Sequence, residues 1–227
     1  MRAFLKTLGL AALFAAPLIG SALPASAQNS PFAIGANIGT PGVGAELQFQ
    51  VAPSLVVRGD FDWLSFHHDD TWSDVPYRGR LKSTTGGAFV DWHPGKTSFL
   101  VSGGGYFGDR RIDLKSRING DVDIGGLTFT ESQVGQLQGR AKLSDAEPFV
   151  GLGWDNTFTG DHAWGFRAIA GVSFSDAPKV RLQSVGGTLS DNPVLLAALQ
   201  QEEADVSHDA RHWKYYPVVQ IGVTHRF

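Results

Sequence analysis

The 227-residue sequence has no cysteine, a single methionine and, beyond its first 27 residues, no apolar run long enough to cross a bilayer as a helix. Without cysteine the fold has no disulfides to hold it, and without a run of ~20 apolar residues it cannot be a helical membrane protein. Charge is also sparse, at 18% of residues with a formal net charge of −3. That balance argues against a nucleic-acid binder, which would carry a basic stripe. What is plentiful is glycine (28), phenylalanine (15) and tryptophan (6), in a chain that is 42% hydrophobic. Such a composition favours strands over helices.

Residues Met1 to Ala27 read MRAFLKTLGLAALFAAPLIGSALPASA. Arg2 and Lys6 make a basic start, Leu8 to Ile19 an apolar run, and Ala25-Ser26-Ala27 an A-x-A cleavage site, the three parts of a secretory signal. Residues 1–27 are therefore predicted to be removed, leaving a mature domain of residues 28–227 with 17 basic and 22 acidic residues, net −5. The competing reading, an inner-membrane anchor, needs a longer run than Pro17 and Gly20 allow. An exported chain either stays soluble or spans a membrane as strands, the only other structure that satisfies every backbone group in lipid.

Eight segments of the mature chain alternate with period two, which puts one set of side chains on each face of a strand. They cover about residues 33–40, 44–51, 55–66, 80–93, 98–114, 147–158, 163–174 and 215–227. In the second, Ala45, Leu47, Phe49 and Val51 oppose Glu46, Gln48 and Gln50; in the sixth, Val150, Leu152 and Trp154 oppose Glu147, Phe149 and Asp155. The fifth is ambiguous, because Gly103-Gly104-Gly105 blurs its faces and suggests a bulge or bend. Connections after the second, fourth and sixth segments are short. Those after the third, fifth and seventh (residues 67–79, 115–145 and 175–214) are longer and read as loops. One helix is predicted within them, Pro193 to Val206, with Asn192 as N-cap and Pro193 at the first helical position.

The last segment, YYPVVQIGVTHRF, ends on Phe227 and resembles the closing strand of bacterial outer-membrane β-barrels. With GVGAEL, VDWHP and EPFVGLGWDN, the chain resembles a small Gram-negative outer-membrane barrel of the OmpA/OmpX/OmpW type, from a family without an assigned activity. The resemblance implies an all-β fold: an eight-stranded antiparallel up-and-down transmembrane barrel with short periplasmic turns, longer extracellular loops and one short loop helix. It also implies location in the bacterial outer membrane, contact with outer-membrane lipid and lipopolysaccharide, and delivery by the barrel assembly machinery. Val219, Ile221, Val223, His225 and Phe227 would form the assembly signal, although family members usually carry Tyr where this chain has His225. Nothing after Phe227 is expected to bind peptidoglycan.

Under this assignment the aromatics of the apolar faces fall into two belts. Phe49, Trp92, Trp154, Trp164 and Phe227 lie near the end holding the termini, and Trp63, Phe107, Phe174 and Tyr215 near the other, as rings with part-polar character do at membrane interfaces. The opposite faces carry Glu46, Arg58, Asp60, Asp62, Asp91, Glu147, Asp155, Arg167, Gln220 and Arg226. Eight strands leave an interior that side chains can fill, so a paired plug is expected there, with a narrow ion path or ligand pocket as the alternative. His67-His68-Asp69-Asp70 has metal-ligand residue types but no third ligand at a recognised spacing, and a solvated loop is preferred. Ser207-His208-Asp209 has triad residue types, but sequence neighbours seldom form a triad, so no enzyme of the lipid A-modifying kind is expected. No cofactor is expected either. Lys82, Arg110, Arg111, Lys115 and Arg117 gather near the outer rim, where they would be solvated or pair with lipopolysaccharide phosphates.

Overall fold

The computed structural model describes residues 30–72, 75–117, 120–210 and 214–227, with backbone alone at 67–72, 75–78 and 117. The segment read as a secretory signal, residues 1–27, lies outside the described residues. Ten strands form one antiparallel sheet that closes on itself: β1 (Phe32–Gly39), β2 (Gly42–Ala52), β3 (Leu55–Trp72), β4 (Val75–Trp92), β5 (Phe99–Arg117), β8 (Gly135–Lys142), β9 (Ala146–Asp155), β10 (Trp164–Phe174), β11 (Lys179–Gly186) and β12 (Tyr215–Arg226). A separate hairpin joins β6 (Val122–Ile124) to β7 (Leu127–Phe129). Eight of these strands, in the order β1-β2-β3-β4-β5-β9-β10-β12, make the barrel, with β12 returning to pair with β1. Each neighbour in space is the next barrel strand in sequence, so the barrel is an up-and-down meander.

Alternation dictates which side chains point in. On β2, Val43, Leu47, Phe49 and Val51 are exposed on the outer surface while Glu46 and Gln48 are buried. On β10, Trp164, Phe166 and Phe174 point out while Arg167, Ile169 and Ser173 are buried. The turns at the end holding both termini are tight: Pro53-Ser54 after β2 and a 3-10 turn, Pro94–Lys96, after β4. At the other end Thr40-Pro41 links β1 to β2, and Gly42 has φ 140°, which only glycine adopts without strain.

All three expected loops contribute continuations of the barrel wall. Strands β3 and β4 stay in register through Trp72↔Val75, so His67–Asp70 lies on a strand and not in a solvated loop. Residues 115–145, read as one long loop, hold the end of β5, the β6–β7 hairpin, a short helix α1 (Glu131–Val134) and β8. Strand β8 pairs with β5 in the register that β9 follows lower down, Arg111↔Lys142 continuing Phe107↔Ala146. The excursion 175–214 contains β11, paired to β8, and helix α2 (Pro193–Asp209). In these extensions the outer face turns polar, with Lys82, Arg111 and Lys142 outward, while Leu114 and Leu182 keep the inner face apolar and the hydrogen-bonded ladder goes on. The Gly103–Gly105 run causes no bulge: β5 keeps one register against both β4 and β9.

Helix α2 begins as its sequence demands, with Asn192 accepting a 2.9 Å hydrogen bond from the Val194 amide. Its buried face, Leu195, Ala198 and Leu199, packs with Ile124, Phe129 and Val134 in a small core of its own. Leu137 and Leu182 pack against that core. They lie on the face of the wall extension continuous with the barrel interior, since Leu114, Gly139 and Leu182 share a register row and Leu114 has the parity of inward Arg110. Glu203 fastens α2 to β11 by accepting from the Leu182 amide at 2.6 Å.

Candidate functional site

The barrel interior gathers residues from all eight of its strands. Glu46, Arg58, Asp60, Asp62, Asp91, Glu147, Asp155, Arg167, Gln220 and Arg226 all point inward, none more than 6% exposed. Two arginines organise most of them. Arg58, from β3, donates through Nε to Asp91 at 2.8 Å, pairs with Asp60, and lies 4.1 Å over the ring centre of Phe89. Arg167, from β10, pairs with Glu46 across the lumen and donates to Gln220 at 2.8 Å, and Gln220 donates on to Asp62 at 3.2 Å. Gln48 bridges Glu46 (2.9 Å) and Asp155 (3.0 Å). Arg226, at the end of β12, donates to the Gly160 carbonyl at 3.1 Å.

A layer of aromatic rings lies across the same lumen. Phe89, Tyr106 and Phe149 contact one another edge to face, with ring centres 4.9, 5.5 and 5.7 Å apart. Leu100, Ile169 and Val218 complete the cluster. Gly104 makes room for it, because a Cβ there would stand 2.7 Å from both Cα and Cδ1 of Phe89. Towards the far end, Arg110 pairs with Glu147, which also accepts from Ser173 at 2.6 Å, and its guanidinium lies between the rings of Tyr106 and Tyr216. Tyr216 closes this layer by donating to the Thr40 carbonyl at 2.9 Å.

Arg110 does not belong with the outer-rim cations, where the sequence suggests it. It is 5% exposed and inside the lumen. The signal is its parity: Phe107, Asp109 and Arg111 face out, so Arg110 must face in, but the glycine run before it obscures the count. The aromatic layer is the other feature that sequence reasoning misses. Phe89 and Phe149 can be read as inward, but their meeting with Tyr106 depends on the stagger of the strands around the barrel.

On the outside, Phe49, Trp92, Trp154, Trp164 and Phe227 are exposed near the termini, and Trp63, Phe107, Phe174 and Tyr215 are exposed towards the other end. In the terminal segment Val219, Ile221, Val223 and Phe227 are exposed, while His225 is half-buried between the rings of Trp164 (4.8 Å) and Phe227 (5.3 Å). His208 and Asp209 stand 4.0 Å apart on the exposed end of α2, with Ser207 beside them on the same turn, and no triad geometry forms. Among the residues whose side chains are described, no group of three or more His, Cys, Asp or Glu could hold a metal ion. Lys115 is exposed and Lys82 and Arg111 are part-exposed on the outer face of the extension; the side chain of Arg117 lies outside the described set.

No protein-family model and no curated protein matches the chain. Solved structures do. The crystal structure of Acinetobacter baumannii CarO2 covers 87% of this chain and 99% of its own, at 23% identity and a TM-score of 0.60. That of Acinetobacter baumannii CarO covers 89% of this chain and 100% of its own, at 18% identity and a TM-score of 0.56. At such identities the likeness concerns the fold: the chain is a closed eight-stranded antiparallel β-barrel with the architecture of these proteins.

Proposed function

We propose that this chain is a non-enzymatic integral protein of the bacterial outer membrane whose interior is a structural plug, so that it acts through its outer surface and extended wall and passes no solute. The observation that carries this reading is the pairing of an apolar outside with a filled inside. On β2 the outward run Val43, Ala45, Leu47, Phe49 and Val51 covers eight residue steps. At ~3.3 Å per residue and a ~40° tilt this is about 20 Å of apolar wall, close to the ~25 Å band of outer-membrane barrels. A soluble barrel would expose this surface to water at great cost.

Inside, four buried arginines face six buried carboxylates, and the three-ring layer lies between the Arg58 and Arg110 groups. Rings in mutual contact leave no continuous hydrated path, which favours the plug over the alternative of a narrow channel. The far mouth is further narrowed by α2 and its core, which occupy the interior-facing side of the extension. In this reading both termini and the tight turns face the periplasm, and the extended wall stands outside the cell.

The test is gel migration of outer-membrane fractions, boiled against unboiled, for the native chain and a Phe227 deletion. A folded species that shifts on boiling and falls sharply in the deletion is expected. A periplasmic soluble protein indifferent to the deletion would refute the reading.

A further inference from the structure

Above the outer aromatic belt, the face of the wall extension that continues the lipid-facing surface is basic. Registers across four adjacent strands, β4, β5, β8 and β11, align Lys82↔Arg111, Arg111↔Lys142 and Lys142↔Lys179 in one row. Residues paired across a sheet share a face, so these four cations point the same way. Adjacent strands are ~4.8 Å apart, and the row therefore runs about 14 Å around the barrel. The next row outward adds Arg80, Arg140 and Arg181 around a single carboxylate, Asp113. This concentration stands out in a chain whose net charge is −3.

The carboxylates nearby compensate it only in part. Asp109 lies 3.1 Å from Arg111, Asp113 2.7 Å from Arg140, and Asp145 2.8 Å from Lys142. The hydrogen bond from Lys142 to Asp145 raises its amine above the ordinary lysine value, so Lys142 stays charged beside that carboxylate. Height also matters. Lys82 and Arg111 stand two residues beyond Thr84 and Asp109, which share a row with Trp63. A cleft of about 320 Å³ opens at this junction, lined by Trp63, Ser65, Lys82, Thr84, Asp109 and Arg111. Its floor is an interfacial tryptophan and its upper wall is a pair of cations.

We propose that this face binds the phosphate groups of the lipopolysaccharide-type glycolipid surrounding the barrel, with one phosphate in the cleft between Lys82 and Arg111 and further anionic groups along Lys142 and Lys179. The inference rests on the outer-membrane reading above. The chemistry is that of anion recognition: guanidinium and ammonium groups donate charge-assisted hydrogen bonds to phosphate oxygens, and the acyl chains of the same molecule lie against the apolar wall directly below. A soluble anion would satisfy the cations but not the belt beneath them.

The test uses refolded full-length protein whose migration shifts on boiling, reconstituted in nanodiscs of phosphatidylethanolamine with or without lipopolysaccharide. The lipopolysaccharide retained per barrel after detergent extraction is measured. A variant carrying Lys82→Gln, Arg111→Gln, Lys142→Gln and Lys179→Gln removes four cations at once and should lower retention about tenfold or more. Lys96→Gln, at the opposite end of the barrel, should leave it unchanged. The native protein offered dephosphorylated lipopolysaccharide should show the same loss, which requires no variant to fold. Equal retention by the folded quadruple variant, or by native protein with the dephosphorylated glycolipid, overturns the proposal. A chain that gives no boiling-dependent species refutes the membrane reading before any binding is measured, and this proposal with it.

Discussion

Replacing Arg58 with methionine tests whether the interior charges are held as a matched set. Arg58 is 1% exposed and serves Asp60 and Asp91, both buried, together with Ser102 and the face of Phe89. Methionine fills much of the same volume and keeps a contact with Phe89, so packing loss is small. The carboxylates, however, are left without their cation in a site closed to water. Breaking a buried pair by removing one partner costs about 3–5 kcal/mol. At ~1.4 kcal/mol per decade this is roughly two to three and a half orders of magnitude in the folding constant. Adding Asp60→Asn and Asp91→Asn to Arg58→Met removes the uncompensated charge and should restore most of the loss, since a buried ion pair contributes little over a neutral replacement. Urea titration of barrels in liposomes, read by tryptophan fluorescence and by the fraction that shifts on boiling, measures both. A single variant destabilised by less than about 1 kcal/mol, or a triple variant no better than the single, would refute the plug as described.

Two further predictions follow from other parts of the fold. Phe149→Ala opens a cavity within the aromatic layer and should cost about 3–5 kcal/mol in the same titration, whereas Val150→Ala, on the adjacent outward position, should cost much less. Leu195→Ala removes a fully buried side chain from the small core under α2. It should destabilise that core by about 2–5 kcal/mol, so that limited proteolysis cuts within residues 120–142 or 179–210 while the remaining barrel still shifts on boiling.

The barrel strands are legible in the sequence for a particular reason. Where the proposed bilayer would contact the barrel, outward positions are apolar and many inward ones are charged, amide or small, so GVGAELQFQVA and WGFRAIAGVSF carry a period-two pattern. Past that contact the outward constraint ends. The outer ends of β3, β4 and β5, residues 67–72, 75–79 and 115–117, are mostly polar in sequence and read as loops, although their ladder continues. Strand β11 retains a signal, with Val180, Leu182 and Ser184 inward against Lys179, Arg181 and Gln183, but its partner β8 lies some 40 residues earlier and its apolar face covers α2 instead of lipid. The ten inward residues of the polar set are readable singly from parity. Their partners are not, since whether Arg167 meets Glu46 and not Asp60 depends on how far the strands stagger as the barrel closes.

Conductance of the purified native barrel in a planar bilayer tests the central claim most directly. With the lumen filled by Arg58, Arg167 and the Phe89-Tyr106-Phe149 layer, the membrane current should stay at baseline at voltages where an added porin gives clear steps. Reproducible unitary steps from the native protein, lost when the sample is boiled, would contradict the plug and make the interior a path.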